Sequence, residues 1–296
     1  MMNPRVRRYN SVGEIPRLEP SSDRGMKVVL FCGGQGTRLR DYSEAIPKPM
    51  VRVGDRPILW HVMKYHAHFG HKDFILCLGY KGESIKNYFL DYDEAISNDF
   101  VLSEGGSDIH LLNSDIHDWK ITFVGTGVNA SIGERLKAVE KHLEGEEMFL
   151  ANYSDGLTNL HLPGYVDFFQ KSGKIASFVA VHSTQSFHVV SVEDDGMVSE
   201  ITPMSDSHVW INGGYFVFRK EIFDYLKEGE DLVFEPYDRL MALKKLIAYR
   251  YDGFWAAMDT FKDRQLLEDL VGSGQAPWEL WKPPAGRPKP VTSIGQ

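Results

Sequence analysis

From residue 26 to residue 282, short runs rich in Val, Ile and Phe alternate with longer amphipathic stretches, a rhythm that restricts the chain to an α/β fold built on a mainly parallel sheet. Parallel strands covered on both faces read as unbroken apolar runs, as Val28-Val29-Leu30-Phe31-Cys32 does. The runs predict strands over 27–32, 73–79, 120–124, 147–152, 175–182 and 213–218. A hairpin is expected from 187–192 and 197–201 across Glu193-Asp194-Asp195-Gly196. Helices are expected over 56–69, 82–90, 133–143, 163–171, 219–227, 235–244 and 261–272. In 133–143 the 3.6 period is clearest, with Leu136, Val139, Glu140 and Leu143 on one stripe after Gly133. No repeat or linker divides 26–282, which reads as one domain with insertions. Residues 1–25, with little periodicity, read as a flexible N-terminal extension, and residues 283–296, rich in Pro and Gly, as a disordered Pro-rich tail.

Charge and apolar patterning exclude several classes of function. Lys and Arg number 33 against 41 for Asp and Glu, a net charge of −8 that repels polyanions and argues against nucleic acid as a partner. No run of 18 apolar residues is free of charge, so no membrane span is expected. The basic start, Met1 to Arg8, leads into no apolar region of the kind a secretory signal requires, which predicts a cytoplasmic location. Cys32 and Cys77 each sit in an apolar run and read as buried free thiols. His61, His66, His68 and His71 cluster without an i,i+4 pair and read as residues scattered over a helix surface rather than as a metal site. No Gly-x-Ser-x-Gly elbow and no Cys-x-x-Cys pair is present, which removes serine-hydrolase and zinc readings.

Chemistry concentrates at the end of the first strand, in Gly33-Gly34-Gln35-Gly36-Thr37-Arg38-Leu39. Glycines there let backbone N–H groups approach a polyphosphate. A dinucleotide fingerprint fails, because Leu39 stands where its last glycine is required, and no Gly-Lys-Ser/Thr follows for a P-loop. A glycine turn without a ligand stays open on these residues alone. Ten residues beyond Arg38, however, comes Pro47-Lys48-Pro49-Met50, so one loop carries a forked guanidinium and a point-charge ammonium, a pair suited to a triphosphate. Two acids fall at comparable places: Asp155 ends the buried run Phe149–Ser154, and Asp259 follows the aromatic run Gly253–Met258. Singly, Asp155 reads as a turn residue and Asp259 as a helix cap; together they suit a divalent ion shared with phosphate oxygens.

Gly-Gly-x-Gly-Thr-Arg-Leu followed by Lys-Pro resembles the opening signature of the sugar nucleotidyltransferases, and the likeness extends over about residues 26–282. The blocks Lys48-Pro49-Met50-Val51, Pro57-Ile58-Leu59-Trp60-His61, Gly79-Tyr80-Lys81-Gly82, Asn212-Gly213-Gly214-Tyr215-Phe216, Met258-Asp259-Thr260 and Ala276-Pro277-Trp278 resemble the glucose-1-phosphate cytidylyltransferases within that family. The resemblance implies transfer of CMP from CTP to a sugar 1-phosphate. Arg38, Lys48 and Asp155 would be catalytic, and Mg²⁺ would sit on Asp155 and Asp259. Gly33, Gly34, Gln35, Gly36, Thr37, Gly79, Thr126 and Arg135 would line the nucleotide and Asn212 and Gly213 the acceptor. Relatives of this kind commonly self-associate, so a homo-oligomer is expected. Two departures stand out. Ile132-Gly133-Glu134-Arg135 replaces the family's Thr-Gly-Gly-Arg, and Ile201-Thr202-Pro203 replaces its Glu-Lys-Pro, whose lysine pairs with the acceptor phosphate. Lys81, Lys171 or Lys174 would then have to supply the missing charge; otherwise the acceptor or the nucleotide differs, with UTP or dTTP in place of CTP, or the chain is a catalytically weak nucleotide binder. The fold expected is a Rossmann-like αβα sandwich with a mostly parallel central sheet and a small mixed lid near 183–212 on the acceptor side.

Overall fold

The computed structural model describes residues 25–34, 46–183 and 187–282. The expected N-terminal extension to residue 24, the Pro-rich tail, and Gln35, Gly36, Thr37 and Arg38 lie outside the described residues. In chain order the elements are β1 (Val28–Cys32), β2 (Arg52–Val53), β3 (Arg56–Pro57), α1 (Ile58–His68), β4 (Asp73–Leu78), α2 (Gly82–Leu90) and α3 (Glu94–Ser97). There follow β5 (Phe100–Ser103), β6 (Asp108–Leu111), β7 (Lys120–Gly125), α4 (Ile132–Ala138), β8 (Met148–Asn152), β9 (Gly156–Thr158), α5 (Leu162–Ser172), β10 (Ala176–His182), β11 (His188–Val192) and β12 (Val198–Pro203). The chain continues through β13 (Trp210–Arg219), α6 (Glu235–Ala242), β14 (Leu246–Tyr251), β15 (Trp255–Ala257) and α7 (Phe261–Gly272).

Seven strands form the central sheet in the order β14-β10-β13-β8-β1-β4-β7. β1 pairs in parallel with β4 and β8, β4 with β7, and β10 with β14, while β13 runs antiparallel to both neighbours. The two-residue period divides the apolar runs between two layers. Val28, Leu30 and Cys32 face a core shared with Ile58 and Leu59 of α1, Ile85 of α2, Phe169 of α5 and Leu267 of α7. Val29 and Phe31 face the other core, with Leu136 of α4 and Leu240 of α6. The three-layer αβα sandwich expected from the alternation is thus present, and the pairing is right for parallel strands joined by crossover helices.

Details differ where local geometry competes with periodicity. The helix expected over 133–143 is α-helical to Ala138 and then tightens into a 3₁₀ turn over Glu140–Leu143, yet Leu136, Val139 and Leu143 are all fully buried, so the stripe survives the change of pitch. The stretch expected as a helix over 219–227 is a 3₁₀ turn, Lys220–Tyr225. The lid-side excursion holds the expected antiparallel hairpin, β11 with β12, followed by a 3₁₀ turn over Met204–Asp206. His61 and His66, read as surface residues, are buried. Trp278 Nε1 donates to His61 Nδ1 at 3.3 Å, and His66 packs against Tyr65 and Tyr215. Burial lowers the His61 pKa to about 4 and that of His66 to about 3, so both stay neutral in the folded chain. Cys32 and Cys77 are buried free thiols on adjacent strands, and burial pushes the Cys32 thiol up to about 12.

Candidate active site

Parallel β1, β4, β7 and β8 end at one edge of the sheet, and Lys48, Asp155 and Asp259 meet at that edge. Beyond β8 the chain turns through Ser154, whose φ of 65° is in the left-handed region that side chains avoid at a cost of roughly 1–2 kcal/mol. Two bonds hold it there: Ser154 N–H donates to Asn152 Oδ1 at 2.8 Å, and Ser154 Oγ donates to the Phe31 carbonyl at 2.8 Å. The turn delivers Asp155 to the edge and starts β9, which pairs antiparallel with β15 through Gly156↔Ala257 and Leu157↔Ala256. Met258 N–H then donates to the Asp155 carbonyl at 3.0 Å. This short ribbon is what brings two acids from distant parts of the chain side by side. Asp259 does not cap α7; Thr260 does, in a capping box with Asp263, leaving the Asp259 carboxylate to the site.

Lys48 enters from the other side, on a 3₁₀ turn stiffened by Pro47 and Pro49. Its Nζ is 2.6 Å from Asp155 Oδ2 and 2.6 Å from Asp259 Oδ1. Burial opposes the ammonium, but the charges and hydrogen bonds of Asp155 and Asp259 outweigh it and raise the Lys48 pKa. Burial raises the Asp155 carboxyl, Lys48 pulls it back, and Asp259 adds repulsion. A half-buried cation shared by two carboxylates still costs desolvation and is therefore a poor device for stability alone. Both carboxylate oxygens lie within 2.6 Å of one atom, so they are at most twice that distance apart, and a slight closure brings them within reach of an ion with oxygen ligands at about 2.1 Å. The donor set, two carboxylates with no third His, Cys, Asp or Glu joining them among the described residues, suits a cation that completes its shell with phosphate and water.

Around the first glycines the structure shows where the Arg135 donors go. Arg135 does not offer its guanidinium to the cleft: it is 2% exposed, and Nη1 donates to Thr126 Oγ1 at 2.8 Å and to the Gly127 carbonyl at 2.9 Å. Nη2 donates to the Gly33 carbonyl at 3.0 Å and to the Val128 carbonyl at 3.3 Å. The Thr126 hydroxyl in turn donates to the Leu78 carbonyl at 3.0 Å. Both side chains therefore spend polar groups tying the loops after β1, β4 and β7 into one floor, because the two terminal guanidinium nitrogens are taken by three carbonyls and a hydroxyl. Glycine is needed in that floor. A Cβ on Gly33 would lie 1.9 Å from Arg135 Nη1, and one on Gly79 would lie 2.6 Å from the Gly33 carbonyl oxygen. Gly34 follows at the exposed rim.

Asn212 and Gly213 lie where β13 bulges against β10. Asn212 Oδ1 accepts from Gly214 N–H at 2.9 Å, its Nδ2 donates to the Tyr153 hydroxyl at 3.5 Å, and Trp255 Nε1 donates to the Gly213 carbonyl at 2.8 Å. The acceptor-side expectations thus fall beside the turn that carries Asp155. Of the cations considered as substitutes for the missing lysine, only Lys81 is at this edge, as the left-handed residue before α2. Lys171 pairs with Asp167 on α5 at 2.6 Å, and Lys174 precedes β10 at the opposite end of the sheet, because β10 runs in the direction of β8. Thr202 Oγ1 donates to Glu200 Oε1 at 2.8 Å. Sequence reasoning missed Ser154 and Asn152 as positioning residues; the Ser-Asp-Gly turn was the signal for the first.

Known proteins similar to this chain point to one family. A family model described as nucleotidyl transferase matches residues 27–255. A probable glucose-1-phosphate cytidylyltransferase of Bacillus subtilis (strain 168) is 38% identical over 86% of this chain and 100% of its own length. The glucose-1-phosphate cytidylyltransferase of Salmonella typhi is 36% identical over 87% of this chain and 100% of its own. Among solved structures, a UTP-bound UGPase from Acinetobacter baumannii superposes with a TM-score of 0.62 at 19% identity, covering 84% of this chain and 94% of that one. A putative glucose-1-phosphate thymidylyltransferase from Bacillus anthracis gives 0.60 at 16% identity, over 83% and 95%. At those identities the structural likeness speaks to the fold.

Proposed function

The chain belongs to the nucleotidyl transferase family, and from that membership we propose that it transfers CMP from CTP to a sugar 1-phosphate of the glucose type, giving a CDP-sugar and pyrophosphate. The observation that carries the reading is the Lys48–Asp155–Asp259 cluster at the carboxyl edge of the sheet. The whole length of the cytidylyltransferase relatives is matched, which favours CTP over UTP or dTTP. An oxygen of the acceptor phosphate attacks the α-phosphorus in line; the new P–O bond forms as the bond to the β-phosphate bridge breaks, and no covalent intermediate with the protein is required. Positioning and charge neutralisation are then the whole of catalysis.

Lys48 places its charge at the α-phosphate, leaving its two carboxylates as the nucleotide arrives. Asp155 and Asp259 would hold Mg²⁺, which when bound supplies positive charge to phosphate oxygens. The N–H groups of Gly34, Gln35 and Gly36, with the Arg38 guanidinium, hold the departing pyrophosphate. Gly79 and the floor tied by Arg135 present backbone to the base, and Asn212 and Gly213 the acceptor side. No helix among the described residues is long and apolar enough to cross a membrane. A cytoplasmic location and a homo-oligomer are part of the same proposal. Pyrophosphate release measured with each of the four ribonucleoside triphosphates and a panel of sugar phosphates tests the proposal. Release dependent on CTP and glucose 1-phosphate is the expected result, and tight CTP binding without turnover for any acceptor would overturn it in favour of a nucleotide-binding relative.

A further inference from the structure

The acceptor phosphate needs a cation, and the position at which relatives of this type are expected to carry one holds Thr202, bonded to Glu200. Of the lysines considered, Lys171 and Lys174 are out of reach. One arginine is not. Ala180 of β10 pairs with Asn212 of β13 on one side and with Arg250 of β14 on the other, so the three stand in one lateral row and point to one face. Two strand spacings put Asn212 and Arg250 about 10 Å apart at their Cα atoms. The Arg250 side chain closes part of that gap, because its guanidinium carbon lies over the Trp210 ring, 5.5 Å from the centroid, and Trp210 is on β13, two residues before Asn212. His182, the residue paired with Trp210 across β10 and β13, also packs against that ring, with centroids 4.1 Å apart. His182 Nε2 is 3.5 Å from Asp252 Oδ1. Among the described residues the Arg250 guanidinium makes no ion pair, and the residue is exposed.

We propose that Arg250, held by the face of Trp210, receives the phosphate of the acceptor sugar and supplies the charge that Thr202 lacks. This rests on the nucleotidyl-transfer reading above. An arginine suits that role, because its planar fork binds two oxygens of a phosphate dianion at once, and an indole face steadies it without taking up its N–H donors. The strand that carries it also leads, through Gly253 and β15, to Asp259, so the acceptor phosphate and the metal-binding acid are placed by the same segment.

Arg250→Gln and Arg250→Lys test the proposal with two readouts: initial rates with glucose 1-phosphate and CTP varied in turn, and calorimetric binding of glucose 1-phosphate in the presence of a non-hydrolysable CTP analogue and magnesium. Loss of a charged hydrogen-bond partner corresponds to about 10- to 100-fold. The expected result is a rise of that size in KM and Kd for glucose 1-phosphate in R250Q, a smaller rise in R250K, and an unchanged KM for CTP. Acceptor binding in R250Q within two-fold of wild type would overturn the assignment. So would equal losses in both variants accompanied by a fall in Tm, which would mark a packing role. If the wild type binds glucose 1-phosphate in the calorimeter but releases no pyrophosphate, the transfer reading fails while R250Q still decides where the sugar phosphate sits. If the wild type neither binds nor turns over glucose 1-phosphate, both fail together.

Discussion

Lys48 holds the most informative position in the molecule, since its ammonium bonds two half-buried carboxylates that would otherwise repel each other. Such an arrangement is not favoured for stability, and its cost is understandable only if the lysine and the acids have other partners during turnover. Replacing Lys48 by Ala removes one preorganised positive group at the reacting phosphate, for which losses of about 10²- to 10³-fold in kcat are typical. We expect that loss with an unchanged circular dichroism spectrum, read from initial rates at saturating substrates. Turnover within a few-fold of wild type would remove Lys48 from the chemistry. The residue scale also shows where reading by motif reaches its end. Arg135 matches a family arginine in sequence, yet its donors are consumed by Gly33, Thr126, Gly127 and Val128, a fact set by the crossing of three loops that no spacing reveals.

Elements were legible where one force dominates. Strands β1, β4, β8 and β10 are built on dense apolar runs, helices α2, α5 and α7 bury one side, and α1 is buried nearly all round, so the apolar pattern located them to within a residue or two. β14 went unread because an edge strand with one solvated face is a weak pattern, Leu246-Ile247-Ala248-Tyr249-Arg250-Tyr251, and its parallel pairing with β10 decides it. The hairpin β5–β6 and the ribbon β9–β15 are too short to show a period, and the ribbon is the piece that joins Asp155 to Asp259. In α1 the misreading concerned solvent: His61 and His66 fill the core with their rings. That has a measurable consequence. Their pKa values are about 4 and 3 when folded, and His71, also buried, is held at about 4. Since the unfolded chain takes up these protons near pH 6.5 and the folded chain does not, stability is full above pH 6.5 and falls as the pH drops toward 4. Denaturant unfolding at pH 7.5 and pH 4.5 is expected to show a loss of several kcal/mol, reduced in His66→Phe. A pH-independent midpoint, or an equal loss in the variant, would mean that these histidines are not buried neutral.

At the scale of the whole molecule, the αβα sandwich and the site depend on different groups. The central strands bury Val28, Leu30, Phe74 and Leu150 far from solvent, whereas the site uses polar groups at one rim of the sheet, on loops whose separation in sequence the fold closes. Ligands bound at such a rim stabilise only the folded chain, so the melting temperature reports occupancy directly. A nucleotide at 100 times its Kd adds about 2.7 kcal/mol, a rise of several degrees for a chain of this size. If Asp155 and Asp259 together hold a divalent ion against the phosphates, CTP with magnesium must raise Tm by more than CTP with a chelator. The excess must vanish in Asp259→Asn, while the shift given by CTP alone persists, because the glycine floor and its Arg135 ties are untouched by that change. An equal magnesium-dependent increment in Asp259→Asn would show that the ion is held by the nucleotide without this acid, and the role of the β9–β15 ribbon would reduce to placing Asp155 against Lys48.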